Sequence, residues 1–217
     1  MGMLYKIALT MAALLFVATA GVCGWLFVYT GDLPDIEHLS QFAPSSQSPV
    51  LDSCLASPST AIPFNHIGKP LQDALAAAES ATSLPHQIAQ SLMCNHTGGM
   101  GRYHANNLRL SWHIRRRFSA QQVFTIYANR AYFGSGATGV ENASIQFFRK
   151  DANALNVEEA ALLAGFLRAP NYFSPYKNPE RALQRRNQIL EAMVAQGNLS
   201  TSDAARAEAT PVVIATQ

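Results

Sequence analysis

Two features of this chain have the residue types and spacing to do chemistry. The first is Glu79, which follows Leu71, Leu75 and Ala78 on one helical face and falls four residues after Leu75, at the edge of the apolar stripe. Taken alone, a glutamate at a helix end reads as a solvated carboxylate. The second is the adjacent pair Arg185 and Arg186. On a helical pattern begun by Asn178-Pro179 and stopped by Gly197, the residues Leu183, Ile189, Leu190, Met193 and Val194 form one arc. Arg186 lies near the middle of that arc and Arg185 just outside it. An arginine in an apolar stripe either snorkels or pairs with a buried anion, so Arg186 is expected to be the stronger anion ligand of the two. Other chemistries lack their residues. The six histidines (His38, His66, His86, His96, His104, His113) form no close pair with an acidic partner, so no metal site is expected. Gly98-Gly99-Met100-Gly101 has no Lys-Ser/Thr after it and reads as a flexible link rather than a phosphate loop. No serine nucleophile elbow is present.

The elements that must position these groups are mostly helical. Pro70 suits a first helical turn, and a second helix over about 83–94 carries Gln87. The link His96–Arg102 precedes a third helix over about 104–117, which closes on Arg115-Arg116-Arg117. Ser119 with Gln122, and Asn156 with Glu159, have capping-box spacing and open two more helices. The helix after Asn156 runs to Pro170, and a short helix over about 202–209 is the last. Between the two capped helices, Gly134, Gly136 and Gly139 crowd behind Tyr132-Phe133, an elbow in which glycine supplies positive φ and close backbone approach. Glu141, Glu158 and Glu159 read as caps or surface. No alternating run of strand length occurs in the body, apart from a candidate short strand at Pro49-Val50-Leu51.

Composition and charge set the outer bounds. The chain has 217 residues, 48% of them hydrophobic and 14% charged, with a formal charge of +2. That is ample for a core, too apolar for disorder, and implies no nucleic-acid partner. Ile7 to Tyr29 carries no charge, and at roughly 1.5 Å per residue it is long enough for the ~30 Å hydrocarbon layer. Lys6 before it and Asp32, Asp35 and Glu37 after it place the N-terminus in the cytoplasm and the body outside the inner membrane. Ala18-Thr19-Ala20 fits a cleavage site, but cleavage would leave nine further uncharged residues exposed, so an uncleaved anchor is the expectation. The parts are then an anchor over 1–29, an extended Pro/Ser-rich stalk over 30–66, a helical domain over 67–210 and a tail over 211–217. Beyond Cys23, only Cys54 and Cys94 occur, either one disulfide in an oxidising compartment or two separate buried thiols.

The stretches LNVEEAALLAGFLRAPNYFSPYKNPERALQRRNQILEAMVAQGNLS (155–200) and QQVFTIYANRAYFGSGATGVENAS (121–144) resemble the peptidoglycan glycosyltransferase domain of class A penicillin-binding proteins and monofunctional transglycosylases. LPDIEHLSQFAP (33–44) behind the apolar run is similar to that family's N-terminal layout. The resemblance covers roughly 70–205, strongly after residue 119 and patchily before it. It implies a mostly α, lysozyme-like domain behind a single transmembrane helix, polymerising lipid II at the periplasmic membrane face. Its implied partners are lipid II or glycan strands, inner-membrane lipids and other cell-wall synthesis proteins, with no resident cofactor beyond a divalent cation at the diphosphate.

Carried over residue by residue, the motifs are mixed. The Glu-Asp pair of the first motif is Glu79-Ser80, and the second retains Gln87. Tyr103, His104 and Asn107 stand where the third has its cations and second glutamate. The fourth keeps Tyr127 and Asn129 but has Ala120 and Thr125 for its lysine and glutamate. The fifth is intact at Arg185, Arg186 and Ile189-Leu190. The resemblance thus implies Glu79 as the base, with Gln87, Arg102, Asn129, Arg185 and Arg186 holding substrate. Two readings of activity follow: a non-catalytic lipid II or glycan binder, favoured because the lost groups are those nearest the chemistry, or an active polymerase with altered groups. Lysozyme-like cleavage is a weaker third, since it pairs two carboxylates and only Glu79 is evident.

Overall fold

Pro70, Pro85 and Pro179 each sit in the first turn of a helix, where the missing N–H costs no hydrogen bond. The computed structural model describes residues 2–30, 33–50, 54, 59–95 and 99–216. Its helices are α1 (Gly2–Thr30), α2 (Lys69–Ala78), α3 (Leu84–Leu92), α4 (Met100–Arg117), α5 (Ala120–Arg130), α6 (Val140–Phe148), α7 (Val157–Phe166), α8 (Pro179–Ala195) and α9 (Thr201–Ala209). Both capping boxes form, Ser119 with Gln122 and Asn156 with Glu159, each closing two backbone–side-chain hydrogen bonds. Gly197, at φ +74°, ends α8, and the Asn198 N–H returns to the Met193 carbonyl at 2.9 Å.

Two clusters of buried side chains form the core. In one, α7 is buried on nearly every side between α2 and α8, with Phe147 of α6 against Phe166. The other gathers Ile88 of α3, Leu110 and Ile114 of α4 and Ile126 of α5. Helix α5 contributes to both, Ala128 to the first and Ile126 to the second. On α8 the core face is Ala182, Arg186, Ile189, Leu190 and Met193, whereas Leu183, expected in that arc, is 42% exposed.

Of the expected extended stalk over 30–66, the described residues 33–50, 54 and 59–66 fold onto the domain instead. A 3-10 turn (Glu37–Phe42) buries Leu39 and Phe42 completely, and β1 (Ser48–Val50) pairs antiparallel with β2 (Ser59–Ala61). Ala61 and Ile62 are also buried. The prolines keep this stretch irregular, but Leu39, Phe42 and Ala61 reach the second core cluster and Ile62 the first. Cys54 is disulfide-bonded to Cys94, with the Cα atoms 5.6 Å apart, which ties this stretch to the end of α3.

Part of the link expected over 96–102 is helical: α4 begins at Met100, so Arg102 lies in its first turn, while 96–98 lie outside the described residues. The glycine elbow is a small hairpin, β3 (Tyr132–Gly134) against β4 (Ala137–Thr138). Gly139 is its tightest point, with φ +82° and a Cβ that would collide with the Ser59 hydroxyl and lie 2.8 Å from the Asn129 carbonyl oxygen.

Side chains of α1 are described for Lys6 and for 8–24. Among the described residues no helix is long and apolar enough to cross a membrane.

Candidate functional site

A cleft of about 550 Å³ opens between the two core clusters. Gln87 and Ser91 of α3 form one wall, Tyr127 and Arg130 of α5 the floor, and Leu167 and Pro170 the far side. Cys54 is also on its rim.

Glu79 joins this cleft through Gln87. It is the residue that caps α2 at its C-terminus, with extended backbone (φ −134°, ψ 136°), so its side chain leaves the helix axis. The connection to α3 is only a turn, held by the Ser83 hydroxyl on the Ser80 carbonyl (2.7 Å) and by the Arg115 guanidinium on the Thr82 carbonyl (2.9 Å). That turn brings the Gln87 amide to the Glu79 carboxylate, Nε2 to Oε2 at 2.5 Å. Burial pushes the Tyr127 phenol well above its ordinary range, and the negative charge of Glu79 adds to the shift. Tyr127 is therefore a neutral hydroxyl at physiological pH.

The arginine pair divides. The stem of Arg185 lies across Gly165 of α7, where a Cβ would stand 3.0 Å from its Cγ. Burial lowers its proton affinity, the charge of Arg168 lowers it further and Glu79 opposes the shift, so two cations and one carboxylate share this region. Its Nη1 donates to Gln188 (3.0 Å), while its buried Nε has no hydrogen-bond partner among the described residues.

Arg186 is placed elsewhere, contrary to the expectation that it would be the stronger anion ligand. Its three donor nitrogens go to Asn187 Oδ1 (3.0 Å), the Thr210 carbonyl (3.2 Å) and the Glu208 carbonyl (2.8 Å). It is 4% exposed and holds the C-terminal end of α9, where unpaired carbonyls attract a cation.

Asn129 is also taken up structurally. It is fully buried; its Nδ2 donates to the Phe42 and Ile62 carbonyls, both at 2.8 Å, and its Oδ1 accepts from the Ile62 N–H at 3.2 Å. Arg102 is exposed on α4 and is not among the cleft's lining residues. Asn107 is fully buried between α4 and α3, its amide on the His86 carbonyl at 3.4 Å. Glu141, read as cap or surface, is 5% exposed and accepts from the Ala152 N–H at 3.0 Å.

Arg130 and Arg168 were not singled out by sequence pattern. Arg130 is 4% exposed, lies 4.7 Å over the Phe42 ring and donates to Ser91 Oγ at 3.3 Å. Its sequence signal was only its place beside Asn129. The donor set at the cleft does not suit a divalent cation: one carboxylate is accompanied by an amide, a phenol and guanidinium groups, and no cluster of three His, Cys, Asp or Glu exists among the described residues.

Comparison with known proteins matches this arrangement to one family. The family described as Transglycosylase matches residues 72–194. "Penicillin-binding protein 1A" of Aquifex aeolicus (strain VF5) is 34% identical over 136 residues, covering 63% of this chain and 19% of that protein. "Penicillin-binding protein 1A" of Rickettsia bellii (strain RML369-C) is 26% identical over 239 aligned positions, covering 91% of this chain and 30% of that protein. The crystal structure of Penicillin-Binding Protein 1A from Haemophilus influenzae shares the fold with a TM-score of 0.51 at 19% identity, over 79% of this chain and 22% of that one. The chain thus spans about a fifth to a third of the length of these relatives. It belongs to the transglycosylase family, and its helical domain is related to the transglycosylase domain of class A penicillin-binding proteins.

Proposed function

We propose that this protein is a membrane-anchored member of the family that binds lipid II, or glycan made from it, and does not polymerise it alone. The observation that carries this reading is the sparse chemistry of the cleft: Glu79, held by Gln87, is the one carboxylate tied to its described lining. Family chemistry needs a base for the acceptor hydroxyl and further groups for the departing diphosphate. Asn107, aligned with the second glutamate, is buried against α3 and cannot serve. In this reading Arg185 with Arg168 supplies positive charge to the diphosphate. A second cell-wall protein would supply the missing groups.

The anchor belongs to the same proposal. Ile7 to Tyr29 carries no charge, and the described apolar side chains of α1, from Leu9 (58% exposed) to Phe16 (74%) and Val22 (57%), are exposed. An exposed apolar helix is stable in lipid, and Lys6 before the run with Asp32, Asp35 and Glu37 after it supports a cytoplasmic N-terminus and a periplasmic domain.

The second reading, an active polymerase, is favoured by the short Glu79–Gln87 contact beside a neutral Tyr127. Full-length protein incubated with labelled lipid II decides between them. Binding without polymer is expected, unchanged in Glu79→Gln. Polymer formed by the isolated protein and abolished by Glu79→Gln would overturn the binding-only reading.

A further inference from the structure

Thr138 differs from the other polar residues that line the cleft. Gln87 donates to Glu79, and Gln90 pairs with the His86 ring at 3.3 Å. Ser91 donates to the Ile88 carbonyl at 2.7 Å and accepts from Arg130, while the Tyr132 hydroxyl accepts from the Gly136 N–H at 3.2 Å. Thr138 lines the same cleft and is 1% exposed, yet its buried Oγ1 has no hydrogen-bond partner among the described residues. A buried hydroxyl without a partner lowers stability, and a valine of the same shape would remove that cost. Thr138 is on β4, and a strand favours valine as well. Folding therefore gives no reason for a hydroxyl here, whereas a ligand in the cleft would.

The hydroxyl stands on a fixed base. Thr138 is opposite Tyr132 in the β3–β4 hairpin, and β3 runs so close to the far side of the cleft that a Cβ on Gly134 would lie 3.1 Å from Pro170 Cβ. Ala131, Leu167 and Pro170 add apolar atoms to the lining. A hydroxyl donor beside apolar atoms suits a group that is itself half polar and half apolar. A sugar hydroxyl offers no apolar part. An acetamido group offers both, a carbonyl oxygen to accept from Thr138 and a methyl for the apolar side chains.

We propose that Thr138 is a specificity-determining residue of the cleft, its hydroxyl donating to the carbonyl oxygen of an acetamido group on a bound sugar. The natural ligand in this assignment rests on the function proposed above, which it deepens by naming the part of the glycan that the hairpin reads. The recognition of an N-acetylated sugar is testable without that function.

Full-length protein in detergent is titrated with the β-1,4 tetramer of N-acetylglucosamine and with cellotetraose, which has the same linkage and no acetamido group. Ligand-observed NMR follows the acetyl methyl signals. The wild type is expected to bind the acetylated tetramer and to prefer it. Thr138→Val should weaken that binding about fivefold, leave cellotetraose unaffected and give a urea midpoint no lower than the wild type's. Thr138→Ser, which keeps the hydroxyl, should hold the acetylated tetramer within about twofold of the wild type. No preference in the wild type, equal affinity of wild type and Thr138→Val for the acetylated tetramer, or the same loss on both tetramers would overturn the proposal. So would a lower midpoint with unchanged affinity, since the hydroxyl would then serve the fold. Labelled lipid II is titrated alongside. If wild type and Thr138→Val bind it equally, the acetamido contact falls and the proposed function stands. If neither binds it while the tetramers behave as expected, the proposed function falls and the contact stands.

Discussion

The side-chain amide of Asn129 pairs with both backbone polar groups of Ile62, accepting from its N–H at 3.2 Å and donating to its carbonyl at 2.8 Å. A third bond to the Phe42 carbonyl joins the same side chain to the 3-10 turn. Asn129 thereby replaces a missing strand for the segment that lies against α5.

Asn129→Ala would leave three buried backbone groups without partners. Each unsatisfied group costs about 1–3 kcal/mol, so a loss of at least about 3 kcal/mol is expected in chemical denaturation. Affinity for a lipid-linked ligand should be unchanged in the fraction that remains folded, as measured by titration below the denaturation midpoint. A change in affinity without a change in stability would contradict the structural role.

Gly139 gives a sharper steric test. Alanine there meets the Ser59 hydroxyl and the Asn129 carbonyl at a positive φ, whereas Gly136, at φ +84°, has open space around it. Gly136→Ala should cost about 1 kcal/mol from backbone conformation alone. Gly139→Ala should cost clearly more, about 3 kcal/mol, since Ser59 and α5 must move apart. Comparing the urea midpoints of the two variants measures the difference.

The two adjacent arginines should separate by phenotype. Arg186→Ala removes the cation from the end of α9 and is expected to lower stability by about 2–4 kcal/mol. Arg185→Ala should leave stability nearly unchanged and weaken binding of a diphosphate-bearing lipid about tenfold. Melting curves and a binding titration on each variant check both halves. Equal losses of affinity would mean that Arg186 also reaches the ligand.

Glu141 should give the protein a pH signature. Burial raises its folded-state proton affinity above the ordinary value of 4.5, partly offset by the Ala152 N–H. The folded state then holds this proton at a pH where the unfolded chain has released it. Stability from this group is full below about 4.5, falls as pH rises toward the folded value and is level above it. Glu141→Gln keeps an oxygen for Ala152 and removes the titration. The stability difference between the wild type and this variant should therefore shift against the wild type as pH rises through that window. A pH-independent difference would contradict the assignment.

Much of the local structure was legible in the residues. Ser119 with Gln122, Asn156 with Glu159, Pro179 and Gly197 mark helix ends through contacts made within a few positions, so the chain carries that information locally. Glu79 and Gln87 are eight positions apart, and the short turn between α2 and α3 brings their side chains together. The fates of the polar side chains were decided in three dimensions. Asn129 finds Phe42 and Ile62, Arg186 finds Glu208 and Thr210, and Arg185, one position earlier, lays its stem across Gly165 and donates to Gln188. Periodicity places an arginine in an apolar arc but does not say which distant carbonyl will meet it. Likewise, the prolines of 30–66 suggested an extended tether, yet Leu39, Phe42 and Ala61 gain more by leaving water for a core surface that exists only once α3, α4 and α5 have packed.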